Sequence, residues 1–299
     1  MARLRLALTG ASGFLGRHVL AALATRDVAV TALTRDAARL AGHPGLAVVE
    51  GDLARPTPAL LDRLADVDVL LHLAWDGLPA YRAARHLEGE LPAQAAFLDA
   101  LLDRGLPALV VTGTCLEYGH RDGPLTVDLE PAPDTAYGLA KDRLRRRLAA
   151  RRTIHPFAFT WARLFYTWGD GQAPTSLWPQ LARAAAAGEA SFAMSGGEQI
   201  RDYLPAAEIG RILAALACAR ADAGLLDLCS GRPRRLRDLV EAWCRKNGWS
   251  IALDLGRYPY PDWEAMAFWG DAAPLTRLLA DLGETPPDPG AGWKPAPAD

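Results

Sequence analysis

Short apolar runs recur along the first part of the chain at residues 4–8, 28–33, 47–50, 67–73 and 108–112. Within each run consecutive positions are apolar, as expected of strands covered on both faces. Between them lie segments with helical spacing or turn chemistry, at 16–25, 36–41, 58–65, 85–104 and 137–152. Strand and helix taking turns in this way predicts an α/β fold: a doubly wound parallel sheet with right-handed crossovers that place helices on both faces. Beyond about residue 165 the pattern changes. Trp, Pro and Gly become frequent, and residues 254–270 carry almost no periodicity. A smaller, irregular α/β lobe that faces a substrate is expected over 166–205 and 230–299. A helix at 206–221 followed by an apolar run at 225–229 reads as a return to the main sheet, so 206–229 joins a first domain at 1–165. The Ala-rich stretch 182–187 reads as a short helix, and the Pro-rich 286–299 as loop and tail.

The first junction carries the most chemistry. Thr9-Gly10-Ala11-Ser12-Gly13-Phe14-Leu15-Gly16 follows the first strand and opens the first helix. A strand that turns through glycines into a helix leaves unpaired backbone N–H groups aimed at one spot, where a pyrophosphate fits. Gly10 suits the tight turn, Gly13 the approach of phosphate to backbone, and Gly16 the packing of helix on strand. The first domain is therefore expected to be a dinucleotide-binding Rossmann domain.

The end of the second strand bears on which dinucleotide. There an acidic side chain bonds a free ribose 2'-hydroxyl, whereas an Arg pairs a 2'-phosphate. This chain has Leu33-Thr34-Arg35, which favours NADP(H), with NAD(H) as the alternative if Arg35 only caps the strand beside Asp36. Asp52, in Gly51-Asp52-Leu53, is placed either to hold the adenine amino group or to serve as a turn carboxylate.

Tyr137 and Lys141 stand four residues apart in a helical stretch and so share a face. A nearby ammonium lowers a phenol's pKa from its usual value of about 10 and makes it a usable acid or base. Upstream, the fifth strand ends in Thr112-Gly113-Thr114-Cys115, which brings hydroxyls to the edge of the sheet where ligands bind.

These pieces together resemble the extended short-chain dehydrogenase/reductases, the group of nucleotide-sugar epimerases, dehydratases and ketoreductases. The resemblance is carried, in order, by residues 9–16, Gly51-Asp52-Leu53, His72-Leu73-Ala74-Trp75, residues 112–119 and 137–141, Arg163-Leu164-Phe165-Tyr166-Thr167-Trp168-Gly169 and Gln199-Ile200-Arg201-Asp202-Tyr203. It implies that Tyr137 is the catalytic acid/base, that Lys141 holds the nicotinamide ribose, and that the Thr114 hydroxyl bonds the reacting oxygen. It further implies a cofactor site of Gly10, Ser12, Gly13, Phe14, Leu15, Gly16, Arg35, Asp52, Leu53, Leu73, Ala74, Trp75 and Thr112 with Tyr137 and Lys141. On the substrate side it implies Trp75, Thr114, Tyr166 and Arg201, the last gripping a diphosphate.

Departures from the family pattern narrow the reaction. Where the 4,6-dehydratases carry Asp-Glu after the catalytic Thr, this chain has Cys115 and Leu116, so dehydration is not expected. Glu117 is displaced by one position and should point away from the site. Tyr166 replaces the usual Asn of its motif. The resemblance then implies hydride transfer from a reduced nicotinamide to a 4-keto-6-deoxy sugar nucleotide, with a nucleotide-sugar 4-epimerase as the alternative and a non-catalytic dinucleotide-binding regulator as a weaker one. It also suggests a homodimer through the helices at 85–104 and 137–152.

Composition excludes several other roles. A net charge of -2 leaves no footprint for nucleic acid, and Arg143, Arg145, Arg146, Arg147, Arg151 and Arg152 lie opposite Leu144 and Leu148 as a solvated helix face. Cys115, Cys218, Cys229 and Cys244 are widely spaced, without a metal or disulfide pattern. No metal is expected. No apolar run is long enough to span a bilayer and no leader is evident, so a cytoplasmic protein without a membrane partner is expected. His72 reads as packing beside the cofactor. Tyr258, Tyr260, Trp263, Phe268 and Trp269 read either as a stacking surface for base or sugar or as lid packing.

Overall fold

The computed structural model describes residues 3–260 and 265–290. Its centre is a seven-stranded parallel sheet: β1 (Leu4–Thr9), β2 (Val28–Thr34), β3 (Ala47–Glu50), β4 (Val69–His72), β5 (Ala108–Thr114), β6 (Ala158–Leu164) and β7 (Gly224–Leu228). The spatial order is β7-β6-β5-β4-β1-β2-β3, so the winding reverses between β1 and β4. Among the described residues eight α-helices accompany it: α1 (Phe14–Leu23), α2 (Pro58–Ala65), α3 (Leu91–Leu102), α4 (Ala136–Arg151), α5 (Leu177–Ala186), α6 (Ala206–Cys218), α7 (Leu236–Asn247) and α8 (Ala273–Asp281).

The continuous apolar runs divide by alternation between two cores. Leu6, Leu8, Val69, Leu71 and Val110 pack on one face with α1, α6 and α8. Their neighbours Ala7, Leu70, Leu109 and Val111 pack on the other with α2, α3 and α4. Burial of both sides is why these strands show no polar face. The return at β7 pairs with β6 in parallel. Leu275 and Leu279 of α8 lie in the same apolar cluster as α1, so the last helix packs on the first domain although it follows residue 230. The Trp-rich residues beyond β6 build a separate core, in which Trp168, Trp178 and Trp243 meet at tilted and edge-on angles beside Leu181, Phe192 and Val240.

Two expected helices differ in kind. Residues 36–41 form a short 3-10 turn, Ala37–Leu40, capped by the Asp36 carboxylate. Residues 85–104 begin with a π-helical turn, His86–Glu90, before α3. Five arginines of α4 and its C-cap are tied within the chain: Arg145 and Arg146 to Asp142, Arg147 to Asp99, Arg151 to Asp103 and Arg152 to Asp222. Among the described residues, no helix is long and apolar enough to cross a membrane, and no group of three or more His, Cys, Asp or Glu is arranged to hold a metal ion. The cysteines are free thiols.

Candidate active site

A cavity of about 800 Å³ opens at the carboxyl ends of the strands around the point where the winding reverses. Its floor is the glycine turn. Gly10 has φ +74°, and a Cβ there would stand 2.8 Å from the Ala74 nitrogen. A Cβ on Gly16 would stand 2.1 Å from the Gly10 carbonyl oxygen, so only glycine lets α1 close on the turn. Gly13 is the N-cap of α1 and supplies no side-chain cap, which leaves the first N–H groups of the helix to whatever occupies the cavity. A Cβ on Gly13 would meet nothing but the Gly10 carbonyl within 4 Å, so the approach to this turn is open. The cradle fits a dinucleotide pyrophosphate.

The structure brings most of the expected site residues to this cavity. Gly10, Ser12, Gly13, Phe14, Leu15, Gly16, Arg35, Asp52, Leu53, Leu73, Ala74, Trp75, Thr114, Tyr137 and Tyr166 line it. Thr112, Lys141 and Arg201 do not. Asp76, which the sequence placed with Trp75 at the border of a substrate, also lines it, as do Arg39, Tyr81, Glu90, Gln94, Cys115 and Leu116, which the sequence did not single out as ligands. Their signal was weak because most of them sit in loops or on α3 with no motif around them.

Tyr137 is placed by the first turn of α4. Thr135 caps that helix by accepting from the Gly138 N–H, and a Cβ on Gly138 would collide with the Leu116 carbonyl at 2.4 Å. The missing side chain lets α4 close on the Thr114 turn. The Tyr137 N–H donates to the Tyr81 carbonyl at 2.9 Å, and its ring packs against Trp75, Tyr81 and His86. Trp75 is held in turn by His86, whose Nδ1 accepts from the indole N–H at 3.1 Å.

Lys141 lies one turn along and is buried, donating to the Thr112 carbonyl at 2.8 Å. Thr112 thus anchors the lysine and does not itself face the cavity. The Trp75 ring packs on the ammonium, its centroid 4.1 Å from Nζ. Burial pushes the ammonium down to about 7. The expected lowering of the Tyr137 phenol is not found. Burial pushes it up, and Tyr81, Glu117 and Cys115 add to that. Nζ stands 5.9 Å from the Tyr137 ring centroid, too far to dominate. Burial therefore favours the protonated phenol.

Thr114 ends β5 and caps the 3-10 turn Cys115–Tyr118, its Oγ accepting from the Leu116 N–H at 3.3 Å. Having accepted there, the hydroxyl keeps its own proton to donate. Glu117 turns away from the cavity, as its position suggested, and is fully buried. It accepts from the Thr114 N–H at 2.9 Å, from Trp161 Nε1 and from Arg163 Nε. Burial pushes its carboxyl up, and Arg163 pulls it part of the way back.

Arg201 is buried behind the Tyr166 and Phe268 rings and donates to the carbonyls of Ile200 and Met266. Asp52 takes the turn role, accepting from the Ala54 N–H at 2.9 Å, while it borders the cavity. Of the aromatic segment, Tyr258 and Tyr260 are exposed, Phe268 is buried, and Trp263 lies outside the described residues.

His72 is fully buried beneath the cavity wall. Its Nε2 lies 2.7 Å from Gln94 Oε1 and its Nδ1 2.9 Å from Thr9 Oγ, a pairing that suits the neutral ring with the proton on Nε2. Burial, helped by the Lys141 charge, pushes it down to about 3. The folded state therefore binds fewer protons than the unfolded one at acid pH. Its contribution is complete above the free imidazole value of about 6.5 and is lost as pH falls from there toward 3. Urea denaturation at a series of pH values should show stability falling by about 3 kcal/mol between pH 6.5 and 4 through this residue. A His72→Gln variant should lack that slope; an unchanged slope would disprove the assignment.

Comparison with known proteins shows the family. The family model described as the NAD dependent epimerase/dehydratase family matches residues 6–224. A dTDP-6-deoxy-L-talose 4-dehydrogenase (NAD(+)) from Aggregatibacter actinomycetemcomitans is 26% identical over 268 residues, which are 88% of this chain and 98% of that protein. A UDP-glucose 4-epimerase from Azospirillum brasilense is 27% identical over 266 residues, 79% of this chain and 75% of that one. Among solved structures, MoeE5 in complex with UDP-glucuronic acid and NAD superposes with a TM-score of 0.79 at 25% identity, covering 95% of this chain and 94% of that one. With most of its length matched and its glycine cradle at the winding reversal, the chain belongs to the NAD-dependent epimerase/dehydratase family.

Proposed function

We propose that the chain is an NAD(P)-dependent oxidoreductase of nucleotide-activated sugars that reduces a 4-keto-6-deoxy sugar nucleotide to the alcohol. The observation that carries this reading is the meeting of Thr114 and Tyr137 on the wall of one cavity whose floor is the glycine cradle. The relative named as a 4-dehydrogenase of a dTDP-linked 6-deoxy sugar supports it, since that oxidation is the reverse of the proposed reduction.

A bound nicotinamide supplies the hydride. The chain's own residues do the rest. Thr114 donates its free hydroxyl proton to the carbonyl oxygen and polarises it, and Tyr137 delivers its phenolic proton to that oxygen as negative charge develops there. Lys141, anchored on the Thr112 carbonyl, is the residue that would hold the nicotinamide ribose. Tyr166 borders the sugar nucleotide. Arg201 acts on the diphosphate only if the Tyr166 and Phe268 rings part. Arg35 and Arg39 at the cavity favour NADP(H), whereas the relative named for NAD(+) favours NAD(H).

The second reading is a nucleotide-sugar 4-epimerase, favoured by the match to a UDP-glucose 4-epimerase. A panel of 4-keto sugar nucleotides assayed for NADPH and NADH oxidation separates the two. Net cofactor oxidation with at least one 4-keto-6-deoxy sugar is expected. No turnover on any of them, together with NAD retained through purification, would reject the reductase and favour the epimerase.

A further inference from the structure

Arg35 leaves the end of β2 and meets Asp76, which follows β4. Its Nη1 lies 2.7 Å from one carboxylate oxygen and its Nη2 3.4 Å from the other. Because β2 and β4 flank β1 in the sheet, this ion pair spans the cleft above the glycine turn that ends β1. Both residues line the cavity and both are well exposed, with side-chain exposures of 64% and 47%. Neither is needed for packing, and each is free to exchange its partner for a ligand.

The surrounding charges show what such an exchange would involve. Asp36 does not compete, because its carboxylate caps the Ala38 N–H. The Asp76 N–H donates to Glu90, whose other oxygen faces Arg85 at 3.8 Å. Asp52 and Glu90 are the remaining carboxylates that act on Arg35. On the cationic side Arg39 lines the same cavity and makes one long contact, 3.4 Å, to the Ser12 carbonyl. A 2'-phosphate entering here finds two guanidiniums, one of them already holding a carboxylate.

We propose that Asp76 is a determinant of nucleotide choice: its carboxylate occupies Arg35 as an internal anion that a cofactor 2'-phosphate must displace. The inference rests on the cleft being a dinucleotide site. A 2'-phosphate competes for the guanidinium and leaves Asp76 as an unpaired negative charge beside it, a like-charge cost. The uncharged 2'-hydroxyl of NAD(H) makes no such demand, and the pair stays closed over it. Asp76 therefore penalises NADP(H) selectively, whatever the preference set by the rest of the site.

The test is calorimetric titration of wild-type protein, Asp76→Asn, Arg35→Ala and the double variant with NADP+, NAD+, 2',5'-ADP and 5'-AMP. Asp76→Asn should raise the affinity ratio of NADP+ to NAD+ by about tenfold, and that of 2',5'-ADP to 5'-AMP likewise. Arg35→Ala should lower both ratios, and adding Asp76→Asn to it should restore little, because the competitor acts through Arg35. Ratios that stay within threefold of wild type in Asp76→Asn, with binding intact, would overturn the inference alone. Failure of the wild-type protein to bind any of the four nucleotides would overturn the dinucleotide reading of the cleft and the inference with it.

Discussion

Tyr137→Phe should lower kcat by roughly 10³-fold, within the range that a single general acid contributes, while dinucleotide affinity stays within about twofold of wild type. The change removes one oxygen and little else. The ring that packs on Trp75, Tyr81 and His86 remains, as does the N–H that donates to the Tyr81 carbonyl. Burial favours the protonated phenol, the form that carries the proton in the reduction direction. The ionisation expected to shape the pH profile belongs to Lys141, pushed down to about 7 by burial. Activity that depends on the ammonium should fall as pH rises through that value, and this limb should be absent in Lys141→Met. Steady-state kinetics over pH, paired with nucleotide titration, read both effects. Full kcat in Tyr137→Phe would remove the catalytic assignment.

What the sequence made legible was what local geometry dictates. The glycine turn is a contiguous motif whose φ and Cβ restrictions are written in single positions, and the structure sets Gly10 and Gly16 under those restrictions. Tyr137 and Lys141 share a helix, so their spacing placed them together. Their protonation was not legible, because it depends on burial that the spacing does not encode. Strand β6 was also not evident, since Thr160 and Arg163 interrupt its apolar run; both are buried, Arg163 against Glu117 and Thr160 on the Ala221 carbonyl. Arg201 was recognisable as an arginine in a motif, yet a sequence does not show whether a guanidinium points into a cleft or behind a pair of rings. The Asp76–Arg35 pair joins residues 41 apart across a strand, and no local pattern announces it.

The second large effect is expected from Glu117→Ala: a loss of about 3–5 kcal/mol of folding stability, the scale for breaking a buried ion pair from one side. Glu117 and Arg163 are both fully buried, with Arg163 Nε 2.7 Å from the carboxylate. The buried Asp227 carboxylate also acts on Arg163, but its oxygens accept from the Tyr118 hydroxyl. The Arg163 Nη1 and Nη2 make no hydrogen bond, and the face of Tyr118 lies 4.4 Å from the guanidinium carbon. Deleting the Glu117 carboxylate therefore leaves a buried cation without its hydrogen-bonded counter-ion and also strips the Trp161 indole N–H of its acceptor. Replacing both partners, as Glu117→Leu with Arg163→Met, should recover much of the loss, because the cost lies in the orphaned charge and the pair itself is worth far less. The control is Glu130→Ala, whose side chain is 78% exposed and pairs with Arg146 at the surface; it should change stability by less than about 0.5 kcal/mol. Urea denaturation of the four proteins reads the series, and a Glu117→Ala midpoint equal to that of Glu130→Ala would show that the network does not hold the fold. The same carboxylate receives the Thr114 N–H, so the loss should extend to the site. Turnover per folded molecule should fall in Glu117→Ala even at temperatures where it remains native, because the turn that aims the Thr114 hydroxyl has lost its inner anchor.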